Sequence, residues 1–248
     1  MILITGASSG IGAACAKIFA AHKRELFLVA RRQTRLKSIQ TKLSRTYGID
    51  VHIAELDVSS RTAVEKFVKT HKKLLARTSV LVNNAGLAKG ISLFQDGELA
   101  DWEEMINTNV KGLLYMTRAL LPIFIKKSDG HIVNMGSVAG HWTYPKGNVY
   151  CATKTAVRAL TETLRLDLSG TKVRVTEISP GMVETEFSVV RLGDQKKADA
   201  IYAGMTPLTA EDIAETVAWC VERPKHVNIQ EVVIYPTDQA SPTVVHRT

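Results

Sequence analysis

The stretch Ile2-Leu3-Ile4-Thr5-Gly6-Ala7-Ser8-Ser9-Gly10-Ile11-Gly12 decides the fold. Its first four residues are apolar or β-branched without alternation, the signature of a strand buried on both faces. A glycine-rich turn follows, and a helix is predicted over 11–22. Glycines at such a turn let the backbone approach a ligand closely, and the helix N-terminus offers free N–H groups and a positive dipole end to a pyrophosphate. The spacing is G-x-x-x-G-x-G rather than the commoner G-x-G-x-x-G. Alone, the triplet serves equally as a tight strand-to-helix turn. Gly6-Ala7-Ser8-Ser9-Gly10 also satisfies G-x-S-x-G, the nucleophile elbow of α/β-hydrolases, with Ser8 as nucleophile. That elbow normally follows several strands that supply its oxyanion loop, whereas this turn follows the first strand, which argues against a hydrolase.

Outward from this turn the pattern repeats. Strands are predicted at 2–5, 26–30, 51–56, 80–83, 131–135, 173–178 and 232–235, and helices at 11–22, 34–47, 61–76, 102–126, 148–168 and 210–222. Strict strand–helix alternation predicts an α/β fold, a Rossmann-like doubly wound parallel sheet of about seven strands with helices on both faces. No linker divides the chain, so residues 1–248 read as a single domain. The less regular 182–207 segment reads as an insertion folded over a site.

Composition fits this picture. The chain has 248 residues, 45% of them hydrophobic and 23% charged, too apolar for a disordered protein and too poor in Gly and Pro for a fibrous one. No apolar run approaches the roughly 18 residues of a membrane span. The N-terminus lacks the features of a signal peptide, so the expected location is cytoplasmic, with no membrane partner. Cys15, Cys151 and Cys220 are odd in number and far apart, and the histidines show no ligand spacing, so neither a disulfide framework nor a metal site is expected. The net charge of +8 raises the question of nucleic acid, yet residues 1–80 hold 15 Lys+Arg against 5 Asp+Glu while the rest hold 17 against 19. The excess sits where a nucleotide cofactor would bind, and gives no independent case for nucleic acid.

Arg31 and Arg32 follow the second strand, where an NAD-binding chain usually places an acidic residue for the ribose 2′-hydroxyl. Guanidinium groups there suit a 2′-phosphate, which predicts NADP. Asp57 and Val58 end the third strand, and Asp57 is a candidate acceptor for an adenine amine. Asn83-Asn84-Ala85-Gly86 ends the fourth, a small polar turn that would pass beneath a cofactor. Tyr150 and Lys154 lie four apart on one helix face, 13 residues after Ser137. A tyrosine near pKa 10 is a poor base at neutral pH, and a neighbouring ammonium or a positive nicotinamide would lower it. Lys154 could also hold ribose hydroxyls, Ser137 the substrate oxygen, and Asn109 a relay water.

At these residues the chain strongly resembles the short-chain dehydrogenase/reductase family, whose pattern of a TGxxxGxG turn, an NNAG turn, a helical Asn, a Ser, YxxxK and a PG turn is present in order. The resemblance implies a catalytic tetrad of Asn109, Ser137, Tyr150 and Lys154. It implies cofactor contacts at Gly6, Ser8, Ser9, Gly10, Ile11, Gly12, Arg31, Arg32, Asp57, Val58, Asn84, Ala85, Gly86, Tyr150, Lys154, Pro180 and Gly181, with Val183 and Thr185 at the nicotinamide carboxamide. Thr153 departs from the Ser common before the lysine but keeps a hydroxyl.

Asp101-Trp102-Glu103, Lys111-Gly112-Leu113, Gly147-Asn148-Val149-Tyr150 and Thr185-Glu186-Phe187-Ser188 with Arg191 are similar to the NADP-dependent 3-hydroxy acid dehydrogenase group within the family. This resemblance implies oxidation of serine, allo-threonine, 3-hydroxyisobutyrate and related acids, reduction of malonic semialdehyde, and a homotetramer. Ser137, Tyr150 and Arg191 would contact substrate, Arg191 as anchor for its carboxylate. Rival readings are a general carbonyl or 3-oxoacyl reductase of the same family, and a non-catalytic NADP-binding sensor. The tail from Pro236 to Thr248 is a candidate contact to a neighbouring subunit.

Overall fold

Runs such as ILIT, LFLVA and VLVN offer apolar side chains to both faces, so each must be covered twice. The computed structural model, which describes residues 1–248, satisfies this with one seven-stranded sheet. Its strands are β1 (Ile2–Thr5), β2 (Leu26–Ala30), β3 (Val51–Glu55), β4 (Val80–Asn83), β5 (Gly130–Met135), β6 (Val173–Pro180) and β7 (Glu231–Ile234). All pairs are parallel, in the order 3-2-1-4-5-6-7. The chain winds outward from β1 to β3 and then crosses back to β4, so the switch point lies between β1 and β4. Ligands of open α/β sheets bind above the strand ends at such a point.

The helices are α1 (Gly10–Ala21), α2 (Gln33–Tyr47), α3 (Arg61–Thr70), α4 (Lys72–Leu75), α5 (Leu99–Ile106), α6 (Leu113–Lys127), α7 (Asn148–Asp167), α8 (Glu186–Leu192), α9 (Gln195–Tyr202) and α10 (Ala210–Val221). Ile2, Ile4, Leu28, Val82 and Val133 pack one sheet face against Phe19 of α1, Leu36 of α2 and Val217 of α10. Leu3, Phe27, Leu81, Ile132 and Val175 pack the other against Phe67 of α3 and Met116, Leu120 and Phe124 of α6. Full burial of each such side chain stabilises by about 1.5–3 kcal/mol.

Three departures from the expected elements have local causes. The helix expected over 61–76 breaks at His71, whose ring turns in against Phe27 and Phe67 at 5.2 and 5.0 Å. The helix expected over 102–126 starts earlier, at Leu99, and widens into a π turn at Asn107–Gly112 between α5 and α6. The irregular segment contains α8 and α9, capped by Thr185 Oγ1 accepting from Phe187 N and Asp194 Oδ1 accepting from Lys197 N. The tail returns to its own chain: Thr248 N donates to Gly204 O, and the Arg247 guanidinium donates to the Ile201 and Ala203 carbonyls at the end of α9. No helix is long and apolar enough to cross a membrane.

Candidate active site

A cleft of about 510 Å³ opens above the C-terminal ends of the central strands. Gly6 has φ +64°, a conformation natural to glycine, and an added Cβ would sit 2.9 Å from both Ala85 Cα and Asn84 Nδ2. Thr5 Oγ1 accepts from the N–H groups of Asn84 and Ala85 at 3.0 and 2.9 Å, and Asn84 Nδ2 donates to Thr5 O at 2.9 Å. The first and fourth strand turns are thereby locked into one floor. Gly6, Ser8, Ser9, Gly10, Ile11, Ala85 and Gly86 line the cleft, as does Asn84. Gly12 does not: it faces inward, where a Cβ would meet Asn84 Nδ2 at 2.5 Å and Gly6 O at 2.6 Å. This bare turn running into α1 is a cradle that suits a pyrophosphate.

At one end of the cleft Arg32 donates from Nε to Ser8 Oγ (3.1 Å), from Nη2 to Ser9 Oγ (2.5 Å) and from Nη1 to Glu186 Oε2 (2.9 Å). Arg35 binds the other oxygen of Glu186. The two guanidinium groups hold the Glu186 carboxyl below its ordinary pKa, chiefly through these hydrogen bonds. Arg31 is more exposed and makes only a 3.6 Å ion pair with Glu104. Asp57 and Val58 line the wall, with Asp57 Oδ1 accepting from Ser59 N and Oγ. The helix beyond is capped by Ser60 rather than by Asp57.

At the other end stand Ser137, Tyr150 and Lys154, all buried. Lys154 Nζ donates to Met135 O at 2.8 Å and lies 5.9 Å from the Tyr150 ring centre. Burial lowers the lysine to about 8, against an opposing pull from Glu177. Burial also raises the Tyr150 phenol; the Ser137 hydroxyl and the Arg191 guanidinium pull it down. The expected lowering by Lys154 is thus not the prominent effect here, because that ammonium is directed to the Met135 carbonyl.

Asn109 sits in the π turn, buried and off the cleft wall. Its Oδ1 accepts from Leu87 N (2.9 Å), and its Nδ2 donates to Leu87 O (2.8 Å) and Thr153 Oγ1 (3.1 Å). The side chain therefore fixes the backbone that follows β4 and ties it to α7.

Pro180, Gly181, Val183 and Thr185 line the cleft from β6 onward. The Thr185 side chain lies 3.4 Å from the Cβ position of Gly10, so the two walls approach across the glycine turn. Arg191 reaches the reactive end: its guanidinium carbon is 5.5 Å from the Tyr150 ring centre and 5.7 Å from that of Tyr144. Nε donates to Gly90 O (3.2 Å) and Nη1 to Tyr144 Oη (3.0 Å).

Of the cleft residues that the sequence did not point to, four make bracing contacts. Tyr144 braces Arg191, Phe187 lies 5.7 Å from the Tyr150 ring, Tyr202 Oη donates to Val183 O (2.8 Å), and Gln239 Oε1 accepts from Met182 N (2.8 Å). Only Phe187, beside the Thr185-Glu186 motif, carried a local signal. The expectation of no metal rested on histidine spacing, which could not reveal that His141 lies with Glu177 and Glu231 in one hydrogen-bonded group.

The short chain dehydrogenase family model matches residues 1–196. Sulfoacetaldehyde reductase 2 of Chromohalobacter salexigens is 47% identical over 242 residues, covering 97% of this chain and 95% of that protein. The NADP-dependent 3-hydroxy acid dehydrogenase YdfG of Escherichia coli K12 is 44% identical over 242 residues, covering 97% and 96%. The solved closed form of serine dehydrogenase complexed with NADP+ superimposes with a TM-score of 0.93 at 44% identity, covering 100% of this chain and 99% of that one. With its glycine cradle, its Ser-Tyr-Lys cluster and these relatives over its whole length, the chain belongs to the short-chain dehydrogenase family.

Proposed function

We propose that this chain is an NADP-dependent oxidoreductase of short 3-hydroxy acids, acting on serine, allo-threonine or 3-hydroxyisobutyrate and, in reverse, on malonic semialdehyde. The carrying observation is Arg191, a guanidinium 5.5 Å from the Tyr150 ring inside the cleft. With Nε and one Nη1 hydrogen already engaged, its Nη2 end is left to receive an anion. An anion there puts the hydroxyl carbon of a short acid beside the phenol.

The glycine turn of Gly6, Ser8, Ser9, Gly10 and Ile11 would hold the cofactor's pyrophosphate, with Gly12 making room beneath it. Arg31 and Arg32 would meet its 2′-phosphate, and Asp57 and Val58 its adenine. Asn84, Ala85 and Gly86 would lie beneath it, with Pro180, Gly181, Val183 and Thr185 at its nicotinamide end. NADP held by these residues would supply the hydride acceptor or donor. Tyr150 takes the hydroxyl proton in oxidation and returns it in reduction. Ser137 orients the reacting oxygen and Lys154 holds the ribose. Asn109 shapes the π turn that carries the relay water. Segment 182–207 covers the substrate.

The relative named sulfoacetaldehyde reductase favours a second substrate of the same shape. Reduced sulfoacetaldehyde, like a 3-hydroxy acid, keeps one carbon between its hydroxyl carbon and its anionic group. An NADP⁺ reduction assay over serine, allo-threonine, 3-hydroxyisobutyrate, 2-hydroxyethanesulfonate and simple secondary alcohols separates these readings. Turnover of the acids with loss in Arg191→Ala supports the proposal; turnover of the uncharged alcohols alone removes it.

Exposed Leu114, Ile125, Leu166, Trp219 and Val233 are apolar surface that a homotetramer would cover. A cytoplasmic location accords with three buried free cysteines.

A further inference from the structure

A polar row crosses the sheet beneath α7. Asn83, Asn134, Glu177 and Glu231 are in register on β4, β5, β6 and β7. Asn83 Nδ2 donates to Asn134 Oδ1 and Thr117 Oγ1, and Asn134 Nδ2 donates to Thr161 Oγ1, while the buried Asn83 Oδ1 has no partner. The two glutamates are like charges side by side on neighbouring strands, an arrangement that costs stability. Glu177 is only 2% exposed, and burial raises its carboxyl to about 7. Breaches of this kind in a folded protein point to function.

The carboxylate has an unusual seat. A Cβ at Gly136 would lie 2.1 Å from Glu177 Oε1 and 2.7 Å from Ser179 Oγ, so the turn between Met135 and Ser137 has a glycine where those groups need the space. The same turn supplies the Met135 carbonyl, the hydrogen-bond acceptor of Lys154 Nζ. Lys154 has no carboxylate within ion-pair distance, and Glu177 is the charge that favours its protonated form. Ser179 Oγ donates to Glu177 Oε1 at 2.8 Å and lies 3.3 Å from Glu231 Oε1, and Glu231 is hydrogen-bonded to His141 Nε2. The groups facing Glu177 are therefore Ser179 on its own strand, Glu231 on β7, His141 beyond β5, and Lys154 and Arg158 on α7.

We infer that Glu177 is a positioning residue for the active-site lysine: a buried carboxylate under the Met135–Ser137 turn, supported by Ser179, Glu231 and His141, that keeps the Lys154 ammonium charged. A buried ammonium with one carbonyl partner otherwise gives up its proton at lower pH, and with it a donor for the ribose and the positive charge near Tyr150. Opposite charges several ångströms apart in a protein interior shift one another's titration by about one pH unit or more. The catalytic consequence rests on the dehydrogenase reading above; the electrostatic one does not.

The test separates them. In the full-length protein, the Lys154 midpoint is read by NMR from its side-chain ¹³Cε shift, assigned with Lys154→Arg, in the parent, Glu177→Gln and Glu177→Asp. Glu177→Gln should lower the midpoint by about one pH unit, and Glu177→Asp should keep most of it. Ser179→Ala leaves the glutamate in place but removes the hydrogen bond that favours its ionised form, and should lower the midpoint in the same direction by less. The alkaline limb of kcat/KM with NADP⁺ and an accepted hydroxy acid should move with the NMR midpoint. An unchanged Lys154 midpoint in both Glu177→Gln and Ser179→Ala overturns the inference, whatever the activity. A shifted midpoint with no turnover of any acid by the parent supports the inference and removes the hydroxy-acid reading instead.

Discussion

At the scale of single residues, the cleft divides into groups that do chemistry and groups that hold them. Tyr150 is buried beside Ser137, Lys154 and Arg191, and its phenolic oxygen is the proton carrier of the proposed reaction. Tyr150→Phe should lower kcat by at least about a thousandfold, in the range of a lost general base with its substrate contact, while NADPH binding followed by fluorescence changes little. Retained turnover would remove the assignment. At the opposite end, Arg31 and Arg32 are equal in the sequence, but only Arg32 reaches the Ser8 and Ser9 hydroxyls. Loss of a charge-assisted hydrogen bond costs about 1.5–3 kcal/mol, so Arg32→Ala should raise the NADPH Michaelis constant about 10- to 100-fold and the NADH constant far less. Arg31→Ala, removing an exposed arginine, should act several-fold less; equal effects on the two cofactors would sink the 2′-phosphate role. The Tyr150–Lys154 pair was legible because its spacing is local and repeats on a helix face. Tyr144 was not, because its partner Arg191 is 47 residues away.

At the scale of elements, the π turn at Asn107–Gly112 shows what periodicity leaves out. A π turn adds one residue to a helical turn without changing the residue types that favour helix, so α5 and α6 read as one continuous helix. Its effect is specific: Asn109 faces the backbone after β4 and satisfies both the N–H and the C=O of Leu87. Asn109→Ala strands two buried backbone groups at roughly 1–3 kcal/mol each. The variant should therefore lose about 2–6 kcal/mol in urea unfolding, besides losing activity. A stability loss under 0.5 kcal/mol would show that water replaces the side chain and that this positioning role is wrong. The parallel, doubly wound class of the sheet was legible by contrast, since doubly apolar runs separated by helices permit few right-handed parallel arrangements. The helices α8 and α9 were hidden by their shortness, seven and eight residues with little apolar periodicity.

At the scale of the whole molecule, the lopsided charge of the sequence becomes a tertiary pattern. Lys17 pairs with Glu211, Arg31 with Glu104, and Arg32 with Glu186, so cations of the first third meet acids supplied much later in the chain. These pairs are substantially exposed, and exposed pairs contribute about 0–1 kcal/mol. The response of stability to pH is therefore better sought among buried groups. His131, 1% exposed, donates from Nε2 to Thr176 Oγ1, because the Thr176 hydroxyl proton is already committed to Ile229 O. Burial lowers its pKa to about 3 from 6.5. The native state rejects a proton that the unfolded chain accepts, so this contribution is complete above pH 6.5 and is lost as pH falls towards 3. Glu177 acts in the opposite sense: raised from 4.5 to about 7, its carboxyl favours the native state on acidification between those values. Between pH 6.5 and 4.5 the two slopes oppose, each approaching about 1.4 kcal/mol per pH unit. His131→Gln keeps a donor for Thr176 but removes the titration. Relative to the parent, its unfolding free energy should rise between pH 6.5 and 4.5 by about 1–3 kcal/mol, whatever the offset at neutral pH. Urea titrations of both proteins at pH 7, 6, 5 and 4.5 measure this difference directly. Parallel pH dependence in the two would show that the buried imidazole does not hold the proton balance assigned to it.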